Sequence, residues 1–104
     1  MHLSTHRLPK VTDRTRLERR SFAARVRIAR AILCWSQAEL ALRSGLTQRA
    51  IHKIESGDTE PRWSTVKALE ATWLDEGIEF IPAGAGFRLA ISADVLDRTS
   101  KVRD

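Results

Sequence analysis

The feature that most constrains the fold of this chain is a pair of short helix patterns separated by a tight turn. Ser36 and Thr47 are residue types that favour helix N-caps, and Gly45 and Gly57 favour the left-handed position that follows a helix end. Their spacing leaves room for about two helical turns in each segment. The sequence therefore predicts one short helix over residues 37–44 and another between Thr47 and Gly57.

The first short helix carries two further start signals. Ser36 and Glu39 form the S-x-x-E capping box, in which each side chain satisfies the backbone N–H of the other residue. Trp35 and Leu40 stand on either side of the cap, at the positions of a hydrophobic staple. These signals agree with each other, so the helix start is expected at Gln37.

Longer patterns flank this pair and predict the remaining elements. An amphipathic helix is expected from Phe22 to an end near Cys34, with Cys34 as a small packing residue, and a further helix from a Ser64 cap to Gly77. Alternating apolar residues in 78–81 and 87–91 flank a glycine-containing loop and predict a β-hairpin. The expected organisation is a basic, flexible arm (1–20) with helix from about Asp13, a helical domain (21–77), the hairpin (78–91), and a polar, frayed tail (92–104).

Charge and composition narrow the classes of function. The 104 residues carry 18 Lys and Arg against 13 Asp and Glu, and nine of the basic but only two of the acidic residues lie in the first 35. This asymmetry favours contact with a polyanion such as nucleic acid, and a solvated basic tail is the alternative. The apolar stretches are too short for a membrane span or a signal segment, and the single Cys34 forms no internal disulfide. We expect a cytoplasmic protein.

Catalytic and metal-binding patterns are missing from the sequence. His2, His6 and His52 are not spaced as metal ligands, no acidic pair stands beside a nucleophile, and no glycine loop of the phosphate-binding type opens a helix. The sequence therefore predicts a protein that is not an enzyme and needs no cofactor or metal.

Three segments carry a resemblance to a known family: WSQAELA at 35–41, SGLTQ at 44–48 and IHKIESG at 51–57. Over roughly residues 22–76 the chain resembles the phage repressor and Cro-like, or Xre-type, helix-turn-helix family. The resemblance implies a mainly α fold, a lambda-repressor-like bundle of about four helices, here with a C-terminal β-hairpin. Two positions depart from the pattern: Ser44 stands where many relatives have an aliphatic residue, and Cys34 where glycine is frequent.

The resemblance makes the second short helix a DNA-recognition helix, and its polar side chains suit that role. Arg49 can pair with guanine and Gln48 with adenine in the major groove, and His52 and Lys53 share their face. The expected base contacts are thus Gln48, Arg49, His52 and Lys53. The expected phosphate contacts are Ser36, Gln37, Thr47, Arg43 and Arg62.

The resemblance also implies a structural ion pair and a dimer. Relatives commonly pair an arginine of the first helix with a glutamate late in the recognition helix, which here are Arg30 and Glu55. Many relatives bind inverted repeats as dimers, so we expect a homodimeric transcriptional regulator of double-stranded DNA. We expect the hairpin to form the dimer interface through Ile78, Phe80, Phe87 and Leu89. A hairpin folded onto its own helices is the alternative to this interface.

Two other functions remain open on the sequence. One is the antitoxin of a toxin–antitoxin pair, which would hold a small protein partner and regulate itself through the same domain. The other is a protein-interaction adaptor without DNA binding, although the basic face of the recognition helix disfavours it. The basic arm has two alternatives of its own, contact with the DNA backbone or minor groove and no contact at all.

Overall fold

The chain begins with one long helix against which the shorter elements pack. The computed structural model describes the backbone of residues 11–102 and the side chains of residues 16–98. Its elements are α1 (Val11–Leu33), α2 (Gln37–Ser44), α3 (Gln48–Ser56), α4 (Trp63–Asp75), β1 (Ile78–Ala83), β2 (Gly86–Ile91) and α5 (Ala93–Val102). In this part of the chain no helix is both long and apolar enough to cross a membrane.

The two short helices α2 and α3 are capped by the residues that the sequence indicates. Ser36 Oγ accepts the backbone N–H of Glu39 at 3.0 Å, and Thr47 Oγ1 accepts that of Ala50 at 3.1 Å. The reciprocal half of the predicted capping box is absent among the described contacts, because the Glu39 carboxylate pairs with Arg43 Nε at 2.7 Å. The helix starts are therefore as predicted, with one bond of the box exchanged for an ion pair.

The first three helices all end on a residue in the left-handed conformation. Gly45 and Gly57 adopt φ angles of 76° and 79°, and Cys34 adopts 59°. At the end of α1, the N–H of Cys34 bonds the Ala31 carbonyl at 3.2 Å and that of Trp35 bonds the Arg30 carbonyl at 3.0 Å, which is a Schellman motif. The prediction of Cys34 as a packing residue is wrong, because its side chain is exposed.

The expected helix from about Asp13 is confirmed, since α1 starts at Val11, but the boundary of the flexible arm differs. Residues 11–20, assigned to that arm, form the first turns of α1, and only residues 1–10 of the arm lie outside the described chain. Apolar periodicity is weak in this segment, so α1 continues here because helical propensity propagates from the packed part of the helix. The extension carries the exposed basic residues Arg16 and Arg20.

Helix α4 begins at Trp63 and not after a Ser64 cap. Arg62 has extended backbone angles (φ −66°, ψ 152°) and already accepts the Val66 N–H at 3.0 Å, so Ser64 lies inside the first turn. Trp63 is 72% exposed, and the Lys67 ammonium lies 4.5 Å from its ring centre. Leu74 near the end of this helix is 57% exposed.

The hairpin packs against its own helices. Its register places Ile78 opposite Ile91 and Phe80 opposite Leu89, and the turn is the two residues Gly84 and Ala85. Ile78 is fully buried, and the Phe80 ring lies 5.4 Å from Trp73 of α4. The assignment of Ile78 to a dimer interface is therefore wrong, because the core of its own chain already covers this side chain.

The polar tail predicted for residues 92–104 contains a fifth helix. Ser92 donates its N–H to the Gly77 carbonyl at 2.8 Å, and its hydroxyl accepts the Val95 N–H at 3.4 Å. Gly77 has φ 99°, and a Cβ there would stand 2.2 Å from Ser92 Oγ, so this contact requires glycine. Val95 is consequently fully buried against the bundle, which the low apolar content of the segment did not indicate.

One core joins the five helices and β1, and the half-buried Ile91 of β2 packs against it. Its buried side chains are Phe22, Val26, Ala29, Leu33, Leu40, Ala41, Ile51, Ile54, Leu69, Trp73, Ile78 and Val95. Ser44, which stands where many relatives have an aliphatic residue, is half-buried and donates its hydroxyl to the Leu40 carbonyl at 2.7 Å. Because that bond satisfies the hydroxyl within α2, serine is tolerated at this position.

The left-handed Cys34 generates a test of stability. Replacing it with glycine (Cys34→Gly) removes a steric cost of about 1–2 kcal/mol for a Cβ in this conformation. Glycine also lowers the free energy of unfolding by roughly 0.5–1 kcal/mol, because it increases the entropy of the unfolded chain. We expect a net gain of about 0.5–1 kcal/mol in the free energy of unfolding, measured by urea titration.

Gly45 provides the matched control for this substitution. A Cβ at Gly45 would meet no atom within 4 Å, so Gly45→Ala tests the same backbone conformation without a clash. This variant should lose stability where Cys34→Gly gains it. A Cys34→Gly protein no more stable than the parent chain would show that the conformation carries no strain.

Candidate nucleic-acid interface

Helix α3 presents a polar face to solvent and an apolar face to the core. Ile51 and Ile54 are 0% and 5% exposed and hold the helix against α1 and α2. Four side chains project from the opposite side and are exposed: Gln48, Arg49, His52 and Lys53. No hydrogen bond or ion pair of these four side chains occurs among the described residues, so their donors and acceptors are free for a ligand.

The turn between α2 and α3 fixes the direction of that face. Gly45 takes the left-handed conformation, and the N–H of Leu46 bonds the Ala41 carbonyl at 2.9 Å. Ala41 is 4% exposed and small, which allows the two helices to approach closely. The Thr47 cap then starts α3 directly, so little freedom remains between the two helices.

The N-termini of α2 and α3 carry three of the predicted phosphate contacts. Ser36 and Thr47 are exposed, and each hydroxyl accepts a backbone N–H while its own proton remains available to an acceptor. Gln37 is half-buried, and its Nε2 donates to Glu55 Oε1 at 3.0 Å. Part of the Gln37 amide is thus used within the fold, which leaves its second N–H and its carbonyl for outside contacts.

The two predicted arginine contacts lie in different surroundings. Arg62 is exposed at the start of α4, with no ion pair among the described side chains. Arg43 pairs with Glu39 and lies 4.9 Å from the Trp35 ring centre. The hydrogen bond that Arg43 donates to Glu39 raises the pKa of Arg43 above its ordinary value. Arg43 is therefore engaged beside α4 and is the weaker candidate for a phosphate contact.

The Glu55 carboxylate lies where α1, α2 and α3 meet. Arg30 donates two hydrogen bonds to it, from Nε to Oε2 at 2.6 Å and from Nη2 to Oε1 at 2.9 Å. Gln37 adds the third bond, and Arg30 Nη1 also donates to the Trp35 carbonyl at 2.9 Å. The Glu55 side chain is 7% exposed and that of Arg30 24%. The structure thus contains the Arg30–Glu55 ion pair that the family resemblance implies, and the pair is bidentate.

The electrostatics of this junction favour the ionised carboxylate. Burial alone would raise the pKa of Glu55, but hydrogen bonds from Arg30 and Gln37 and the charges of Arg30 and Arg27 outweigh burial. The pKa of Glu55 is therefore lower than its ordinary value. The hydrogen bond to Glu55 likewise raises the pKa of Arg30. Both groups are charged at neutral pH.

Arg27 is a contributor that sequence reasoning did not single out. Its Nη1 donates to the Glu55 backbone carbonyl at 2.6 Å, so its positive charge lies at the C-terminal end of α3. A cation at this end of a helix is favourable because the helix dipole places partial negative charge there. Arg27 lies about one helical turn before Arg30, so the spacing indicated that the two side chains are neighbours on α1. It did not indicate the partner of Arg27, because the Glu55 carbonyl is 28 positions away in sequence.

The comparison with known families agrees with this geometry. The family model described as "Helix-turn-helix", whose members are Xre and lambda-repressor-like proteins, matches residues 21–72, which is half of the chain. The chain belongs to this family. No curated protein matches it. The matched region contains α2, α3 and the Arg30–Glu55 junction, whereas the hairpin and α5 lie outside it.

Membership of the helix-turn-helix family assigns the chain to the DNA-binding regulators in general. Within that family the second helix of the motif lies in the major groove and the first crosses the backbone. In this helix-turn-helix protein α2 is the first helix of the motif and α3 is the second. The exposed polar face of α3 is therefore the candidate nucleic-acid interface.

The ion pair generates a prediction about stability and pH. Glu55→Gln leaves Arg30 without its counter-charge, and we expect a loss of about 3 kcal/mol in the free energy of unfolding at pH 7. Because the folded pKa of Glu55 is depressed, the contribution of its charge is complete above the unfolded pKa of about 4.3 and is lost as pH falls through the folded value. Urea titrations between pH 7 and pH 3 measure both effects.

The gap between the parent chain and Glu55→Gln should stay constant above about pH 5 and shrink below it, since protonated Glu55 resembles glutamine. Glu39→Gln, which removes the exposed partner of Arg43, serves as the control and should cost far less. A gap that persists unchanged at pH 3 would contradict the assigned role of the carboxylate charge.

Proposed function

We propose that this protein is a sequence-specific transcriptional regulator that binds double-stranded DNA as a homodimer on an inverted repeat. The observation that carries the proposal is the outer face of α3, four polar side chains with free hydrogen-bonding groups on a helix held rigidly from behind. A helix that contacts base edges needs such a face, because apolar bulk would leave base donors and acceptors unpaired.

The roles of individual side chains follow from their chemistry. Arg49 has the forked guanidinium that pairs with guanine, and Gln48 the amide that pairs with adenine. His52 and Lys53, one turn further along α3, add donors on the same face. Phosphate contacts come from the α2 and α3 N-termini through Ser36, Gln37 and Thr47, and from Arg62, with Arg43 in a lesser role.

A selection of bound duplexes from a random DNA pool tests this function. We expect purified protein to enrich a motif arranged as an inverted repeat. On that motif, Arg49→Ala and Lys53→Ala should each weaken binding by about 1–3 kcal/mol and relax preference at particular base pairs. Fluorescence anisotropy with single-base variants of the motif measures both effects.

Arg88→Ala is the matched control for these two variants. Arg88 is equally exposed and basic, but it lies on the hairpin, which packs on α4. It should leave base preference unchanged. Failure of folded protein to enrich any sequence would contradict the proposal and favour the adaptor alternative.

The dimer is proposed to form through the outer part of the hairpin. An isolated module covers a short half-site, and inverted repeats require two copies. Ile81 and Leu89 are 42% and 40% exposed on this hairpin. Leu89 lies opposite Phe80 on the face that packs inward, but it stays 40% exposed. Leu89 with the half-buried Phe87 is therefore the part of the predicted interface still open to a second chain.

Charge introduced into this surface tests the dimer. Leu89→Glu should convert a dimer into a monomer because two carboxylates would face each other across the interface. Light scattering after size exclusion gives the mass directly. Leu42→Glu, at a 76% exposed leucine on α2, is the control and should leave the mass unchanged. A dimer that survives Leu89→Glu would place the interface elsewhere.

A further inference from the structure

Helix α1 carries a basic surface that the proposed base and phosphate contacts do not use. With 3.6 residues per turn, Arg16, Arg20, Ala24, Arg27 and Ala31 fall along one side of the helix, and we name this set the α1 basic stripe. Arg16, Arg20, Arg27 and Ala31 are exposed, and Ala24 is half-buried. Ala24, between Arg20 and Arg27, has a small side chain, so a large partner can approach closely there.

Of the acidic residues of α1, the one whose side chain the structure describes lies on a different side. Glu18 is about 180° from Arg27 around the helix axis, since nine residues separate them. Its neighbours are Trp63 and Pro61, with which it lines an open groove. The positive charge of the stripe is therefore not cancelled by Glu18.

Contacts with α3 place the stripe beside the recognition helix. The Arg27 guanidinium donates to the Glu55 carbonyl, and Arg20 Cγ lies 3.5 Å from the position that a Cβ on Gly57 would occupy. Gln37 binds the Glu55 carboxylate from the other side, which brings the α2 N-terminus to the same junction. The stripe thus starts next to the proposed phosphate contacts of α2 and runs outward along α1.

Within the described side chains, the outer two arginines have no partner. Among the described side chains, neither Arg16 nor Arg20 forms an ion pair or a hydrogen bond, whereas the adjacent Arg19 faces Glu60 at 3.8 Å. Helix-end stabilisation explains Arg27, which touches the last turn of α3. It does not explain Arg16, four residues beyond Arg20 and therefore about 6 Å further along the axis.

We propose that the α1 basic stripe binds the phosphates of duplex DNA that flank the base pairs contacted by α3. This inference rests on the proposed function and extends its footprint. From Arg27 to Arg16 the stripe rises about 16 Å, the axial length of about five phosphates of one strand. The contacts carry no base information, so they add affinity and salt dependence without changing sequence preference.

The salt dependence of binding tests the stripe. The full chain is titrated into a labelled 30-base-pair duplex of mixed sequence at several salt concentrations, with fluorescence anisotropy as the readout. Each neutralised phosphate contributes about 0.9 to the slope of log K against log salt. We expect Arg20→Gln to lower the magnitude of the slope by about 1, and the double variant Arg16→Gln with Arg20→Gln by about 2.

Arg88→Gln removes one equally exposed charge from the hairpin and should leave the slope unchanged. Glutamine has nearly the helix propensity of arginine, and circular dichroism confirms that the variants stay folded. Equal slopes for Arg20→Gln, Arg88→Gln and the parent chain would overturn the stripe and leave the proposed function standing. A parent chain that binds no duplex would overturn both.

Discussion

The buried carboxylate of Glu55 is the interaction on which the arrangement of the helix-turn-helix depends. Arg30 of α1 and Gln37 of α2 both donate to it, and Arg27 donates to the carbonyl of the same residue. Each of these groups would cost free energy if it were left unpaired in a partly dry site, so the three helices keep one relative position. All the bonds form behind α3, and its outer face stays free.

The elements outside the matched region complete the core of the domain. Ring contacts run from Phe22 through Trp73 and Phe80 to Phe87, with centre distances between 5.2 and 5.9 Å. Arg25 lies 5.3 Å from the Phe22 ring, and burial there lowers its pKa, with Glu70 opposing the shift. The hairpin therefore closes an apolar surface of α1 and α4 that would otherwise face water.

Charge is distributed unevenly between the N-terminal helices and the C-terminal elements. The basic residues of the N-terminal third form the ion pair with Glu55, the support of α3 and the α1 basic stripe. The C-terminal part carries acidic residues such as Glu76 at the end of α4, which pairs with Arg98 of α5. A field of this kind orients the molecule toward a polyanion with α1 and α3 leading. The unequal charge counts in the sequence indicated such a partner, and the fold gathers the basic residues beside α3.

The sequence by itself determined the local structure of α2 and α3, because Ser36, Gly45, Thr47 and Gly57 act within their own helix ends. The polar face of α3 followed for the same reason, from helical spacing alone. Only the tertiary structure decided that Ile78 is core and that the last segment forms α5. Those outcomes depend on contacts between distant positions, such as Ser92 with Gly77, whose free energy appears only when the chain has folded.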